Sequence, residues 1–508
     1  MRTLLAPALL ALLLPLSAQE ASATKADAKP KVEEVSKDET KPLPKPVVTH
    51  HQITAAGKVL KYTATTGFMP LKNEKDDTEA RIYYTAYTLD GGGATRPLIF
   101  AFNGGPGSAS IWLHLGCIGP RRVQLLPDGE LPPPPFHLVD NADTWLDQAD
   151  LVFIDPVGTG FSKAEKPEDS KNYWSLKGDV SSVATFIRLY LTRNGRWTSP
   201  LFLAGESYGT TRASALSSYL VDRGVALNGV ILISAIMNFQ TAEFAHGNDL
   251  PLELFLPSYA TTAWYHKKLP ADLQALPVAE VAARARTFAT GEYADALRKG
   301  DILTPEERGA MAQKIARFTG LSTAYALQSN LRPVIYAFTS ELLRDQNRLV
   351  GRLESRFKAM PSRGTLEYSE NDPLMAAITP PYTASMNDYA RRELGFETDD
   401  TYQTLNYRVN GAWTWDSDNR SVDTSTDLFE AFRKNPYMKL MVANGYYDLG
   451  TPFFATEYTL DHLGLEPAQR ARISLGYYEA GHMIYIDDAA RVKLRGDVRA
   501  FIDGALKR

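Results

Sequence analysis

Cysteine is almost absent. Cys117 is the only one in 508 residues, so no intramolecular disulfide can staple the fold, and stability has to come from a buried core. Long apolar runs are as scarce: after the stretch from Leu4 to Ala18, nothing reaches the roughly 20 apolar residues a membrane helix needs. No membrane span is expected in the mature protein. A basic excess is missing too, with a formal net charge of -4, and basic residues do not interleave with aromatics as on nucleic-acid-binding surfaces. Nucleic acid is not an expected partner. Asn103-Gly104-Gly105-Pro106-Gly107 lacks the Lys and Ser/Thr of a P-loop, and Gly158-Thr159-Gly160 does not complete a dinucleotide fingerprint. No His, Asp and Glu set has metal-ligand spacing, and the adjacent His50 and His51 read as solvated. No cofactor is expected.

What is present begins with Met1-Arg2-Thr3 and the apolar stretch to Ala18, the charged and hydrophobic regions of a signal peptide over residues 1–18. Cleavage as late as residue 23, in Ala21-Ser22-Ala23, stays open. Residues 19–50 hold Lys, Glu, Asp, Ala, Ser and several prolines with almost nothing large and apolar, the composition of a disordered leader. An exported chain without disulfides favours a bacterial periplasm or envelope, so the expected location is periplasmic or secreted.

From residue 51 the pattern changes. Apolar or alternating runs at 81–87, 97–102 and 150–154 read as strands, and near-uniform apolar runs at 201–204, 230–234, 439–443 and 473–477 read as strands covered on both faces. Helical spacing at 179–192, 212–222 and 489–502 alternates with them, which predicts an α/β fold with a mostly parallel central sheet. Residues 239–436 break the alternation with helical patterns such as 277–287 and 339–357, and read as an inserted helical cap. The expected core is therefore split into 51–238 and 437–508. Trp413 and Trp415, two apart near the cap's return, are candidates to line the cleft, but that spacing reads first as strand packing.

Gly205-Glu206-Ser207-Tyr208-Gly209 follows the apolar run Leu201-Phe202-Leu203-Ala204, as in a nucleophile elbow that lifts one serine above a sheet. Serine is a weak nucleophile, so it needs a base within hydrogen-bond reach and a carboxylate to fix the base's tautomer. Beyond Ser207 the histidines are His246, His266, His462 and His482. Only His482, in Gly481-His482-Met483, stands on a loop after a strand. One strand earlier, the run 439–443 leads to Asp448, the expected orienting acid. Tyr208, next after the nucleophile, supplies one backbone N–H for an oxyanion, and the glycine-rich loop after Phe102 is placed to supply another.

Together, Asn103-Gly104-Gly105-Pro106-Gly107, Asp155-Pro156-Val157-Gly158-Thr159-Gly160-Phe161-Ser162, Gly205-Glu206-Ser207-Tyr208-Gly209 and Gly481-His482-Met483 resemble the serine carboxypeptidase family, in that family's order. The resemblance implies an α/β-hydrolase fold, a Ser207–Asp448–His482 triad and an oxyanion hole of the Gly105 and Tyr208 N–H groups. It also implies removal of residues from peptide or protein C-termini, with Asn103, Gly104 and Glu206 binding the terminal carboxylate. Two carboxylates repel unless one is protonated, so Glu206 should act as a neutral donor. The chain departs from the family at Ala101, where Trp is usual, at Ser108, where Cys is common, at Cys117, where an acid is frequent, and at Tyr485, where proline is usual. An esterase or acyltransferase using the same triad is the alternative reading.

Overall fold

Runs such as Leu98-Ile99-Phe100-Ala101-Phe102 are satisfied by a strand with apolar partners on both faces, and all five of these residues are buried in strand. The computed structural model describes residues 43–365 and 371–507. The expected signal peptide, and the expected leader up to residue 42, lie outside the described residues. Strands β1 (Val47–Ala55), β2 (Lys58–Lys72), β3 (Thr78–Leu89), β4 (Leu98–Phe102), β5 (Asp150–Ile154), β6 (Leu201–Ser207), β7 (Gly229–Ala235), β8 (Lys439–Gly445) and β9 (Ile473–Tyr478) form one sheet. Their spatial order is β1-β2-β3-β5-β4-β6-β7-β8-β9, and a two-residue strand, Lys163–Ala164, adds to β3. The first three pairings along this order are antiparallel; the rest are parallel. This is the expected α/β fold with a mostly parallel sheet.

Alternate residues of the parallel strands enter opposite cores. Ile99, Ala101, Phe202, Ala204, Ile231 and Met441 face one side, while Leu98, Phe100, Leu203, Val230, Leu232 and Val442 face the other. Helices α1 (Leu176–Arg193) and α2 (Tyr208–Val221) cover the second side with Val183, Phe186, Ile187, Leu216 and Leu220. In the insertion, α3 (Leu250–Tyr265), α4 (Val278–Phe288) and α5 (Pro305–Thr319) share a core of their own around Phe255, Tyr259, Val281, Ile315 and Phe338. Helix α6 (Pro373–Arg392) instead sends Leu374, Ile378, Tyr382 and Tyr389 into the first sheet core, and α7 (Ser425–Lys434) sends Leu428, Ala431 and Phe432 into the second. Residues 239–436, expected as one cap, thus divide by packing, because the apolar faces of α6 and α7 are buried against the sheet cores. Helices α8 (Phe453–Asp461) and α9 (Asp488–Leu506) complete the layers. Among the described residues no helix is long and apolar enough to cross a membrane.

Two expectations are corrected. The leader does not run to residue 50: β1 starts at Val47 and pairs with β2 in register, with His50 opposite Thr63 and His51 opposite Tyr62. His51 stacks on the Tyr62 ring with centroids 5.4 Å apart, so it is not simply solvated. The polar composition misled because β1 lies at the sheet edge and every second residue faces water. Residues 339–357 are not a continuous helix either. A helix there ends at Glu341, Asn347 turns left-handed at φ 52°, and Leu349–Val350 pairs with Lys358–Ala359.

Candidate active site

Strand β6 passes into α2 without a loop, and Ser207 sits on the corner at φ 59° and ψ -131°, a strained conformation for a residue with a side chain. A β-carbon on Gly205 would lie 2.3 Å from the Gly209 carbonyl oxygen, and one on Gly209 would lie 2.8 Å from that of Phe102. Only glycine allows the turn to close. Beneath it, the Tyr208 hydroxyl donates to Asp179 Oδ2 at 2.9 Å and Arg212 Nε donates to the same oxygen at 2.7 Å. Burial raises the Asp179 pKa against the pull of Arg212. Arg212 Nη1 also donates to the Asn103 carbonyl at 2.7 Å, tying the elbow to the glycine-rich loop. Trp413 and Trp415 lie in no regular strand; their rings meet Tyr208 edge-on at 5.2 and 5.7 Å, where they wall the elbow.

His482 and Asp448 follow β9 and β8, at the same carboxyl edge of the sheet as Ser207. Asp448 Oδ2 lies 2.8 Å from His482 Nδ1. Its other contacts come from donors: Gly450 N at 2.7 Å and Thr451 N at 3.0 Å to Oδ1, and the Thr451 hydroxyl at 2.6 Å to Oδ2. A carboxylate so satisfied orients Nδ1–H toward itself and leaves Nε2 for chemistry. Burial pulls the His482 pKa down, but the charge and hydrogen bond of Asp448, with Glu206 adding to them, leave it raised.

A strap from the insertion fixes both loops. His482 N donates to the Leu353 carbonyl at 2.7 Å, Leu449 N to the Arg352 carbonyl at 3.0 Å and Ser355 N to the Tyr447 carbonyl at 3.0 Å. Buried Glu354 accepts Gly481 N at 2.8 Å through Oε2, and Arg356 binds both of its oxygens. Burial opposes the charge on Arg356, yet Glu354 and Asp487 raise its pKa.

Asn103 is oriented by its neighbours: Leu113 N donates to Oδ1 at 3.0 Å, so Nδ2 faces Glu206 and donates to Oε1 at 3.1 Å. Among the described residues, Glu206 Oε2 is buried with no hydrogen-bond partner. The Tyr485 hydroxyl interacts with Glu206 from beyond ordinary hydrogen-bond geometry and is itself unsatisfied. Burial pushes the Glu206 pKa up to about 7, against the favourable pull of His482, Tyr485 and Asn103. Cys117, at the family's frequent acid position, is a buried thiol held protonated by that burial, so no second carboxylate stands there.

Asn103, Gly104, Gly105, Glu206, Ser207 and His482 line one cavity of about 640 Å³. Asp448 stands behind His482. The Tyr208 side chain turns away beneath the elbow, while its backbone N lies against the glycine-rich loop, 2.4 Å from where a β-carbon on Gly104 would stand. The structure therefore brings all the expected site residues together. A larger polar depression of about 930 Å³ around Trp415, Asp416 and Asp418 contains none of them. The cavity also takes in Trp112, Arg352, Asp372, Met375, Tyr407 and Asn410, which sequence reasoning did not single out. Asn410 Nδ2 braces the glycine-rich loop through the Pro106 carbonyl at 3.1 Å. No motif marks these positions, because they reach the site only through folding.

The profile of the family described as "Serine carboxypeptidase" matches residues 55–476, so His482 lies beyond the matched segment. Among curated proteins, the chain is 27% identical over 158 residues to "Serine carboxypeptidase S10 family member 1" of Dictyostelium discoideum, covering 30% of this chain and 35% of that protein. It is 32% identical over 155 residues to a pheromone-processing carboxypeptidase of Saccharomyces cerevisiae, covering 28% of this chain and 20% of that protein. The matched stretches thus span about a third or less of these relatives' own length. A solved structure titled as proline iminopeptidase from Mycobacterium smegmatis superposes with TM-score 0.34 at 12% identity, over 90% of this chain and 98% of that one, a likeness too low to bear on this chain.

Proposed function

The chain belongs to the serine carboxypeptidase family, and from that premise we propose that it hydrolyses the C-terminal peptide bond of peptides or proteins. Ser207 Oγ attacks the scissile carbonyl as His482 Nε2 takes its proton, with Asp448 stabilising the imidazolium. The Gly105 and Tyr208 N–H groups hold the oxyanion. His482 then passes the proton to the leaving nitrogen, the C–N bond breaks and the terminal amino acid departs. Water gives a proton to His482, its oxygen attacks the acyl-Ser207 ester, and the shortened peptide leaves as Ser207 regains its proton.

The observation that carries this reading is the buried Asn103–Glu206 pair beside Ser207, with Glu206 Oε2 unpartnered and its pKa raised to about 7. A simple ester needs no such clamp. A substrate's terminal carboxylate is matched by the Asn103 amide, the backbone of Gly104 and a protonated Glu206. Export as a periplasmic or secreted protein belongs to the same proposal, supported by the apolar stretch from Leu4 to Ala18.

A blocked dipeptide, its C-terminal amide and a short-chain ester of the same acyl group decide the reading. Hydrolysis of the free acid well above the other two is expected; preference for the ester would establish the esterase or acyltransferase alternative. Fluorophosphonate labelling is expected in the wild type and lost in Ser207→Ala.

A further inference from the structure

One charged side chain of the cavity has no task in this mechanism. Arg352 lines the wall beside His482. Its main chain is pinned on both sides, with N donating to Asp372 Oδ2 at 3.1 Å and the carbonyl accepting Leu449 N at 3.0 Å. Its guanidinium is different: among the described residues it makes no ion pair or hydrogen bond. Nearby arginines are committed, Arg356 to Glu354 and Asp487 and Arg212 to Asp179. Asp372, which lines the same cavity, is turned toward backbone donors, accepting Arg352 N and Leu353 N through Oδ2 and Leu374 N through Oδ1.

The position of this cation matters. A β-carbon on Gly450 would stand 3.1 Å from Arg352 Nη1 and 3.2 Å from Asp448 Oδ1, so the guanidinium lies beside the acid loop that backs His482. It is also near enough for its charge to act on the imidazole. In the proposed reaction the leaving residue is held at two points, its nitrogen at His482 and its carboxylate at Asn103 and Glu206. Its side chain, attached to the same carbon as both anchors, then lies in the cavity that Arg352 also lines. A half-buried guanidinium without a partner is a site for a carboxylate, which it can bind bidentately.

We infer that Arg352 selects a leaving residue with an acidic side chain, so that the preferred substrates are peptides ending in glutamate or aspartate. This inference rests on the carboxypeptidase reading. Charge-assisted hydrogen bonds at such a site correspond to roughly 10- to 100-fold in kcat/KM for glutamate over glutamine at the cleaved end.

Blocked dipeptides ending in Glu, Gln and Leu test it at about pH 6, where a side-chain carboxylate is ionised and Glu206 still holds its proton. The wild type should favour Glu over Gln, and Arg352→Gln should bring that ratio close to one. If none of the three is hydrolysed, the carboxypeptidase reading fails. If all are hydrolysed and the Glu-to-Gln ratio is the same in both proteins, the role of Arg352 is overturned while the reading stands. Should Arg352→Gln not fold, competitive inhibition of the wild type by the free amino acids decides: glutamate must inhibit more strongly than glutamine, and equal inhibition overturns the inference.

Discussion

Glu206→Gln separates charge from shape at the proposed carboxylate site. Burial lifts the Glu206 pKa from an ordinary 4.5 to about 7, a gap equivalent to about 3 kcal/mol. The sign follows from the raised value. The group's contribution to stability is fully present below about pH 4.5 and is lost as the pH rises through about 7, because only the folded state holds the proton across that window. Glutamine cannot ionise, so the variant should match the wild type in denaturant unfolding near pH 4 and exceed it by up to about 3 kcal/mol at pH 8. Binding should follow the same proton. The wild-type KM for a blocked dipeptide should climb above about pH 7, as ionised Glu206 repels the substrate's carboxylate, whereas the variant's KM should stay flat. A second signature comes from coupling, since the Glu206 charge helps raise His482. Without it, the acid limb of kcat/KM should move to lower pH. Profiles from about pH 4 to 8.5 read all of this. The reasoning is refuted if the KM of Glu206→Gln rises with pH as steeply as that of the wild type, or if the variant loses substrate binding at acidic pH.

Gly104→Ala should abolish hydrolysis, because its β-carbon would lie 2.4 Å from Tyr208 N and 2.8 Å from Gly209 N, between the two halves of the proposed oxyanion site; a kcat within tenfold of wild type would contradict that packing. Glu354→Ala removes the acceptor of Gly481 N and leaves Arg356 with Asp487 and the Glu479 carbonyl, which should cost about 3–5 kcal/mol of stability. It should lower kcat with KM little changed and shift the acid limb set by His482, with Glu354→Gln milder. An unaltered pH profile in a folded variant would show that the strap only stabilises the molecule.

The candidate site was legible in the sequence because its residues sit in short local patterns. Gly205 and Gly209 are required by contacts within a single turn, and Asp448 and His482 each follow an apolar run that reads as a strand. The parallel core strands were equally clear, since burial on both faces makes them almost uniformly apolar. The edge strand β1 and much of its neighbour β2 were not, because one face meets water and polar residues alternate along it. The insertion was least legible. Its helices divide between a separate core and the two faces of the sheet, and helical spacing alone does not say which surface a helix will cover.

By itself, the sequence determined which residues are proposed as nucleophile, base and acid and their order on successive strand ends, because an elbow and the loops that face it follow from local turn chemistry and from the sheet's chain order. Only the tertiary structure decided what surrounds them: that Glu206 is buried with one oxygen unpartnered among the described residues, that Glu354 holds the loop of His482, and that the Arg352 guanidinium has no partner among those residues on the cavity wall. These properties depend on burial and on contacts between residues more than 100 positions apart in the chain, and no local pattern records them.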